Sequence, residues 1–240
     1  MTAAVTEVSK TRKGEQTKAA ILNAALEIFH ERGYDETTMR AIAKRANVSL
    51  GNAYYYFTSK ENLIQEFYHR THLQHVEAVA AANPGITIKA RLLSLMRLKI
   101  STLEPYHDFA GSLFKTAASP QSPLNPFAPG SDRVREESIA LFRDVVEQSH
   151  ARIPKDLRDE LPYLLWLYHM GIVLFWIHDL SAKQRRTYRL IDLTVDLLDR
   201  LIALASNPLM RPVRKRALKL LDELREAAAE SAVEVKEEIK

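Results

Sequence analysis

Residues 37–60 read TTMRAIAKRANVSLGNAYYYFTSK, and the reading of the fold starts from them. Thr37 or Thr38 can cap a short helix that carries Ile42 and Ala43 and ends near Asn47; Ser49 then caps a second, very short helix that stops at Phe57. Two short helices joined by a tight turn can set the second in a DNA major groove while the first crosses the backbone. Such a pair needs a small residue where the helices touch, and Ala43 supplies it. It also needs a residue that tolerates left-handed backbone at the turn, and Asn47 stands there. Val48, Ala53 and Phe57 are expected to face inward, because a helix this short holds its shape only through packing.

The flanking sequence supplies that packing. Upstream, Ile21, Ala25, Ile28 and Phe29 recur at helical spacing until Gly33 stops the helix. Downstream, Thr58 or Ser59 opens a fourth helix, with Glu61 placed as in a capping box after Thr58, running towards Asn83-Pro84-Gly85. Ile88, Leu92, Met96 and Leu103 share one face of the next helix. The four prolines of ASPQSPLNPFAPGS, residues 118–131, mark a loop. Helix resumes near Asp132, and again after Ile153-Pro154 and after Pro162. Between Leu190 and Leu204 two apolar seams run side by side: Leu190, Leu193, Leu197, Leu201 and Leu204, and Ile191, Val195, Leu198 and Ile202. A last helix near 213–229 fades into a tail expected to be disordered. With seven glycines and no alternating strand pattern, the chain reads as all-α. Residues 1–14 form a basic arm, 15–62 a three-helix helix-turn-helix domain, 63–209 a larger helical domain, and 210–240 a C-terminal helix and tail.

Composition narrows the chemistry. Hydrophobic residues make up 46% of the chain, enough for a real core, and a net charge of +4 favours an acidic partner without demanding one. The absence of cysteine excludes disulfides, thiolate zinc sites and cysteine nucleophiles. The N-terminus has no apolar run after its basic residues, and the apolar stretch 163–177 is shorter than the roughly 20 residues a bilayer needs. A cytoplasmic protein that touches no membrane is expected. No hydrolase elbow, phosphate loop, HExxH pair or dinucleotide fingerprint occurs, so no enzyme, cofactor or catalytic residue is expected. His69, His72 and His75 step around their helix without a carboxylate to complete a set, and no metal site is assigned.

The pieces AALEIFHERGYDETTMRAIAKRANVS, GNAYYYF and SKENL carry a resemblance. From about Lys18 to Tyr68 the chain is similar, without an internal gap, to the DNA-binding domain of the tetracycline-repressor (TetR) family of bacterial regulators. Asn47 replaces that family's common turn glycine, and Ala53 stands where a larger aliphatic is usual. The resemblance implies a homodimer on near-palindromic double-stranded DNA. Thr38 would offer hydroxyl and backbone N–H to a phosphate, Tyr54 and Tyr56 phenol donors to the backbone, and Lys60 charge beyond the helix. Leu50, Gly51, Asn52 and Tyr55 would face the groove, with Asn52 able to pair bidentately with adenine; Thr37, Arg40 and Ser49 complete the DNA-facing set. Lys10, Arg12 and Lys13 would reach a neighbouring minor groove, or form a basic tail that touches nothing specific.

The stretch from Pro162 to His178 is apolar all round and needs two packing partners. The resemblance implies that the last two long core helices pair with their twins while neighbours enclose a cavity for a small apolar or aromatic effector. Trp166, Tyr168, His169, Ile172, Phe175 and Trp176 are the expected walls, with Gly171 leaving room and Met96, Phe109, Phe114 and Phe127 completing them; the same residues would serve as core or dimer seam. The expected function is a one-component repressor released by its effector. The alternative is a DNA-organising or partner-docking protein with the same head and no switch.

Overall fold

Each short helix near the N-terminus begins on a side-chain cap. In the computed structural model, which describes residues 2–223, α1 (Thr2–Arg32) is followed by α2 (Met39–Arg45), α3 (Leu50–Tyr56) and α4 (Lys60–Ala81). Thr38 Oγ1 accepts from the Ala41 N–H at 3.2 Å and Ser49 Oγ from the Asn52 N–H at 3.1 Å. Each such cap is worth about 1 kcal/mol. Asn47 has φ 53°, and this left-handed step turns the chain so that the Val48 N–H reaches the Ala43 carbonyl at 3.0 Å. The capping box expected at Thr58 does not form. Ser59 is the cap, accepting from the Asn62 N–H, and Glu61 instead accepts the Tyr34 hydroxyl at 2.7 Å, tying α4 to the end of α1.

Ile21, Ala25 and Phe29 of α1, Ile42 and Ala43 of α2, and Ala53 and Phe57 at α3 form one buried cluster. The cluster does not end at residue 62. Leu63, Ile64 and Phe67 of α4 belong to it, as do Phe109 and Leu113 of α6 (His107–Ala117) and Leu124 from the proline-rich loop. A second cluster joins α5 (Ile88–Leu103), α7 (Asp132–Glu147), α8 (Lys155–Ile177) and α9 (Arg185–Ala205), around Leu92, Met96, Phe142, Leu165, Trp176 and Val195. Residues 211–223 form α10, and the remainder of the expected C-terminal helix and tail lies outside the described residues.

Two boundaries differ from expectation. Lys10, Arg12 and Lys13 lie within α1 and not before it, since no proline interrupts the backbone between Thr2 and Arg32. Pro162 lies inside α8 and does not start it. The carbonyl it leaves without an intrahelical partner is that of Arg158, an exposed residue, where water can serve instead. At 23 residues α8 is long and apolar enough by composition to cross a membrane, yet Leu161, Leu165, Trp166, Ile172 and Trp176 bury it in the second cluster.

The α8–α9 corner turns on one carboxylate. Asp179, 2% exposed, accepts the Ser181 N–H at 3.0 Å and both the N–H and the hydroxyl of Thr187 at 2.8 Å, so it caps α9 from a distance. Burial raises its pKa, but these hydrogen bonds outweigh burial and hold it at about 2. Folding therefore gains stability from Asp179 above its ordinary pKa near 4, and that gain is lost as pH falls through about 2. Asp179→Ala leaves the three donors unsatisfied and is expected to cost about 2–4 kcal/mol, read as a lower denaturant midpoint. Asp179→Asn is expected to flatten the acid limb of stability against pH.

Candidate functional sites

The exposed surface of α2, the turn and α3 forms the first site. Thr38, Arg40, Ser49, Gly51, Asn52, Tyr54 and Tyr55 all reach solvent there. Thr38 and Ser49 each spend one lone pair on a cap and keep the hydroxyl hydrogen free to donate. Leu50, expected in the groove, and Tyr56, expected at the backbone, are half-buried against the first cluster. Tyr55 and Tyr56 meet edge to face at 5.1 Å, which fixes the exposed Tyr55 ring. Arg45 braces this face from behind through Glu27 and Glu31 of α1.

Two members of the expected DNA-facing set are occupied elsewhere. Thr37 is buried, and its hydroxyl donates to the Gly33 carbonyl at 2.7 Å. Lys60 folds back over the Tyr34 ring, 4.4 Å from its centroid, and donates to the Tyr34 carbonyl at 2.8 Å. Its charge serves the junction of α1 and α4.

The second site is a cavity of about 650 Å³ between α4, α5, α6, α7, α8 and the proline-rich loop, within the range of small-molecule sites. Phe109, Phe114, Phe127, Trp166, His169, Gly171 and Trp176 line it. Met96, Tyr168, Ile172 and Phe175 do not. Met96 and Ile172 are buried in the second cluster, the Tyr168 hydroxyl bonds Thr194 of α9, and Arg186 covers the Phe175 ring. Tyr168, Ile172 and Phe175, expected as cavity walls, lie instead on the side of α8 where α9 packs. The wall also takes Phe67 and Tyr68 from α4, and Tyr106, none of them anticipated.

Polar members of the wall were missed as well. Lys99 of α5 lines the cavity, and burial lowers its pKa to about 8. His169 is buried, and neither ring nitrogen has a partner; burial, with Lys99 nearby, holds its pKa well below the usual range. Behind it the His75 Nε2–H donates to the Leu95 carbonyl at 2.9 Å, and burial pushes this histidine down to about 3. His72 sits 3.6 Å from Glu137, longer than a hydrogen bond, and burial lowers it too. Among the described residues no group of three or more potential ligands has metal-binding geometry.

Comparison with known proteins matches residues 21–67 to the tetR family of bacterial regulatory proteins, and residues 91–217, more than half the chain, to the tetracyclin repressor-like C-terminal domain. The chain belongs to the TetR family. It is a DNA-binding helix-turn-helix transcriptional regulator, and both halves of the TetR architecture are present. The HTH-type transcriptional regulator UidR of Escherichia coli K12 is 47% identical over 53 residues, which span 22% of this chain and 27% of UidR. YttP of Bacillus subtilis, a probable HTH-type transcriptional regulator, is 29% identical over 96 residues, spanning 38% of this chain and 44% of YttP. Among solved structures, a TetR regulator from Nitrosomonas europaea superposes with a TM-score of 0.58 at 18% identity, covering 75% of this chain and 96% of its own. A TetR-family regulator from Mesorhizobium loti gives 0.56 at 21%, covering 77% and 95%. These two share the fold.

The position of Lys60 has a direct consequence. Lys60→Met removes its carbonyl bonds and its ring contact, and is expected to destabilise the DNA-free protein by roughly 1–2 kcal/mol, read as a lower denaturant midpoint. An unchanged midpoint would return Lys60 to the DNA-facing set.

Proposed function

We propose that the protein is a one-component cytoplasmic repressor. Its homodimer holds a near-palindromic operator and lets go when a mostly apolar small molecule occupies the cavity. The observation that carries this reading is the wall shared by head and cavity. Phe67, Phe109, Leu113 and Ala117 belong at once to the buried cluster of the head and to the cavity lining. A molecule seated against these residues cannot change their packing without changing how α1 and α4 pack behind α2 and α3. The linkage is reciprocal: an effector that favours one arrangement of the heads weakens DNA, which favours the other.

The exposed seam of α9 supports the dimer. Ile191, Val195 and Ile202 are buried in the second cluster, while Leu193, Leu197, Leu201 and Leu204 are 54%, 54%, 47% and 52% exposed along one stripe. A row of four half-exposed leucines at helical spacing is what a twin helix would cover. The cavity itself favours the switch over a domain that only dimerises, which has no need of such a space.

Selection of bound duplexes from a random pool tests the reading. It is expected to yield two inverted half-sites centred about 10 bp apart, and enrichment of a single half-site would contradict it. Leu197→Arg with Leu201→Arg is expected to give a helical monomer in sedimentation that no longer holds the selected duplex; a double variant that stays dimeric would place the interface elsewhere. Asn52→Ala is expected to relax preference at one base position at a cost of roughly 1–3 kcal/mol.

A further inference from the structure

The cavity is apolar over most of its wall, with polar side chains set among the apolar ones. Phe109, Phe114, Phe127 and Trp166 supply aromatic surface from α6, the loop and α8. Lys99 of α5 and His169 and Trp176 of α8 also line the cavity, with Lys99 close enough to His169 to help depress its pKa. His169 is 7% exposed and Trp176 1%, and neither His169 ring nitrogen nor the Trp176 Nε1–H has a hydrogen-bond partner. Buried polar groups are rarely left so, and both side chains belong to the wall that Lys99 also lines. Among the described residues, no carboxylate or hydrogen-bond acceptor lies against the Lys99 ammonium. Of the two arginines on the wall, Arg135 is held by Asp132 and the Pro126 carbonyl, and Arg133, 63% exposed, forms only an ion pair with Glu137 at 3.6 Å, without a hydrogen bond.

We infer that the effector is an amphipathic monocarboxylate, whose carboxylate pairs with the Lys99 ammonium and accepts from Trp176 and His169 while its apolar body lies along the aromatic wall. This deepens the effector reading given above and rests on it. A single negative charge follows from the charges at hand. The histidines around Lys99, His72 and His75 on α4 and His169 on α8, are all held below their usual range by burial, so at neutral pH they donate hydrogen bonds without adding charge. Across from them α7 presents Glu137 and Arg133, already facing each other. Lys99 is a half-buried cation with no ion pair among the described residues, so one anion balances it, and a dianion would bring an uncompensated charge into the cavity. The carboxylate in turn restores to Lys99 the partner that burial in an apolar wall denies it.

The test uses the full-length protein and three probes with the same chain: dodecanoate, dodecan-1-ol and dodecyltrimethylammonium. Trp166 and Trp176 are the only tryptophans, and both line the cavity, so their emission reports binding directly. Dodecanoate is expected to bind about tenfold or more tighter than dodecanol, in line with hydrogen bonds to charged groups, and the cation weakest. Lys99→Met is expected to remove the preference for dodecanoate while leaving dodecanol binding intact, which also shows that the cavity survives the substitution. The wild-type protein gives a second reading that depends on no variant. Burial lowers the Lys99 pKa to about 8, so the preference for dodecanoate is expected to fall as pH rises above that value, while dodecanol binding stays level. Equal affinity for dodecanoate and dodecanol would overturn the charged pole and leave the cavity as an effector site. No response to any of the three would overturn both.

Discussion

Phe29 of α1 stacks on Phe109 of α6 with ring centroids 5.5 Å apart, and Phe109 meets Phe67 of α4 edge to face at 5.9 Å. Phe67 also packs against Tyr106 at 4.8 Å. This aromatic junction is the floor of the DNA-reading head and the ceiling of the cavity. The rest of the molecule depends on it, because α2 and α3 are too short to hold their own shape and take it from α1 and α4. A close-packed aromatic contact has few alternative arrangements, and pressure on one ring is passed to the next as a discrete repacking. In the proposed switch these three rings, in direct contact, join the head to the cavity with no long chain of intermediates.

Around the junction, polar groups decide direction. Glu61 and Lys60, at the start of α4, bind Tyr34 and fasten the head to the helix that carries the cavity wall. Arg70 of α4 reaches Asn23 of α1 and lies 3.4 Å from the Tyr106 hydroxyl, fastening the same seam further along. Arg97 and Lys89 of α5 pair with Asp192 and Asp196 of α9, and so hold the leucine stripe of α9 outward. Two charges of the second domain are turned from its surface: Asp179, buried at the α8–α9 corner, and Lys99, on the cavity wall.

Most of the fold was legible in the sequence because capping, periodicity and turn residues are local signals. Thr38, Ser49 and Asn47 perform the roles that their positions announce. The two seams of α9 were visible as a pattern, although which of them is buried depends on α5 and α8, far away in the chain. What misled was also physical. Tyr168, Ile172 and Phe175 lie on the side of α8 that α9 covers, and no helical wheel can show where the next helix will pack. Thr37 and Thr38 are adjacent threonines of equal capping ability, and only the backbone decides that Thr38 caps while Thr37 turns back to Gly33. Lys99 did leave a trace. It falls three residues after Met96 and four before Leu103, in line with an otherwise apolar stripe, so a charge there had to be either paired or facing a space.

Under the proposed switch, occupying the cavity moves the two heads of a dimer relative to each other. The chain has no cysteine, so Lys44→Cys, on the exposed side of α2, gives a dimer with a single pair of thiols for spin labels. Pulsed electron resonance then reads the separation of the heads directly. The distribution measured on the selected duplex is expected to match heads set one helical turn apart, about 34–36 Å. Without DNA, dodecanoate at concentrations that saturate the tryptophan signal is expected to shift that distribution by several ångströms. An identical distribution with the cavity saturated would contradict the account.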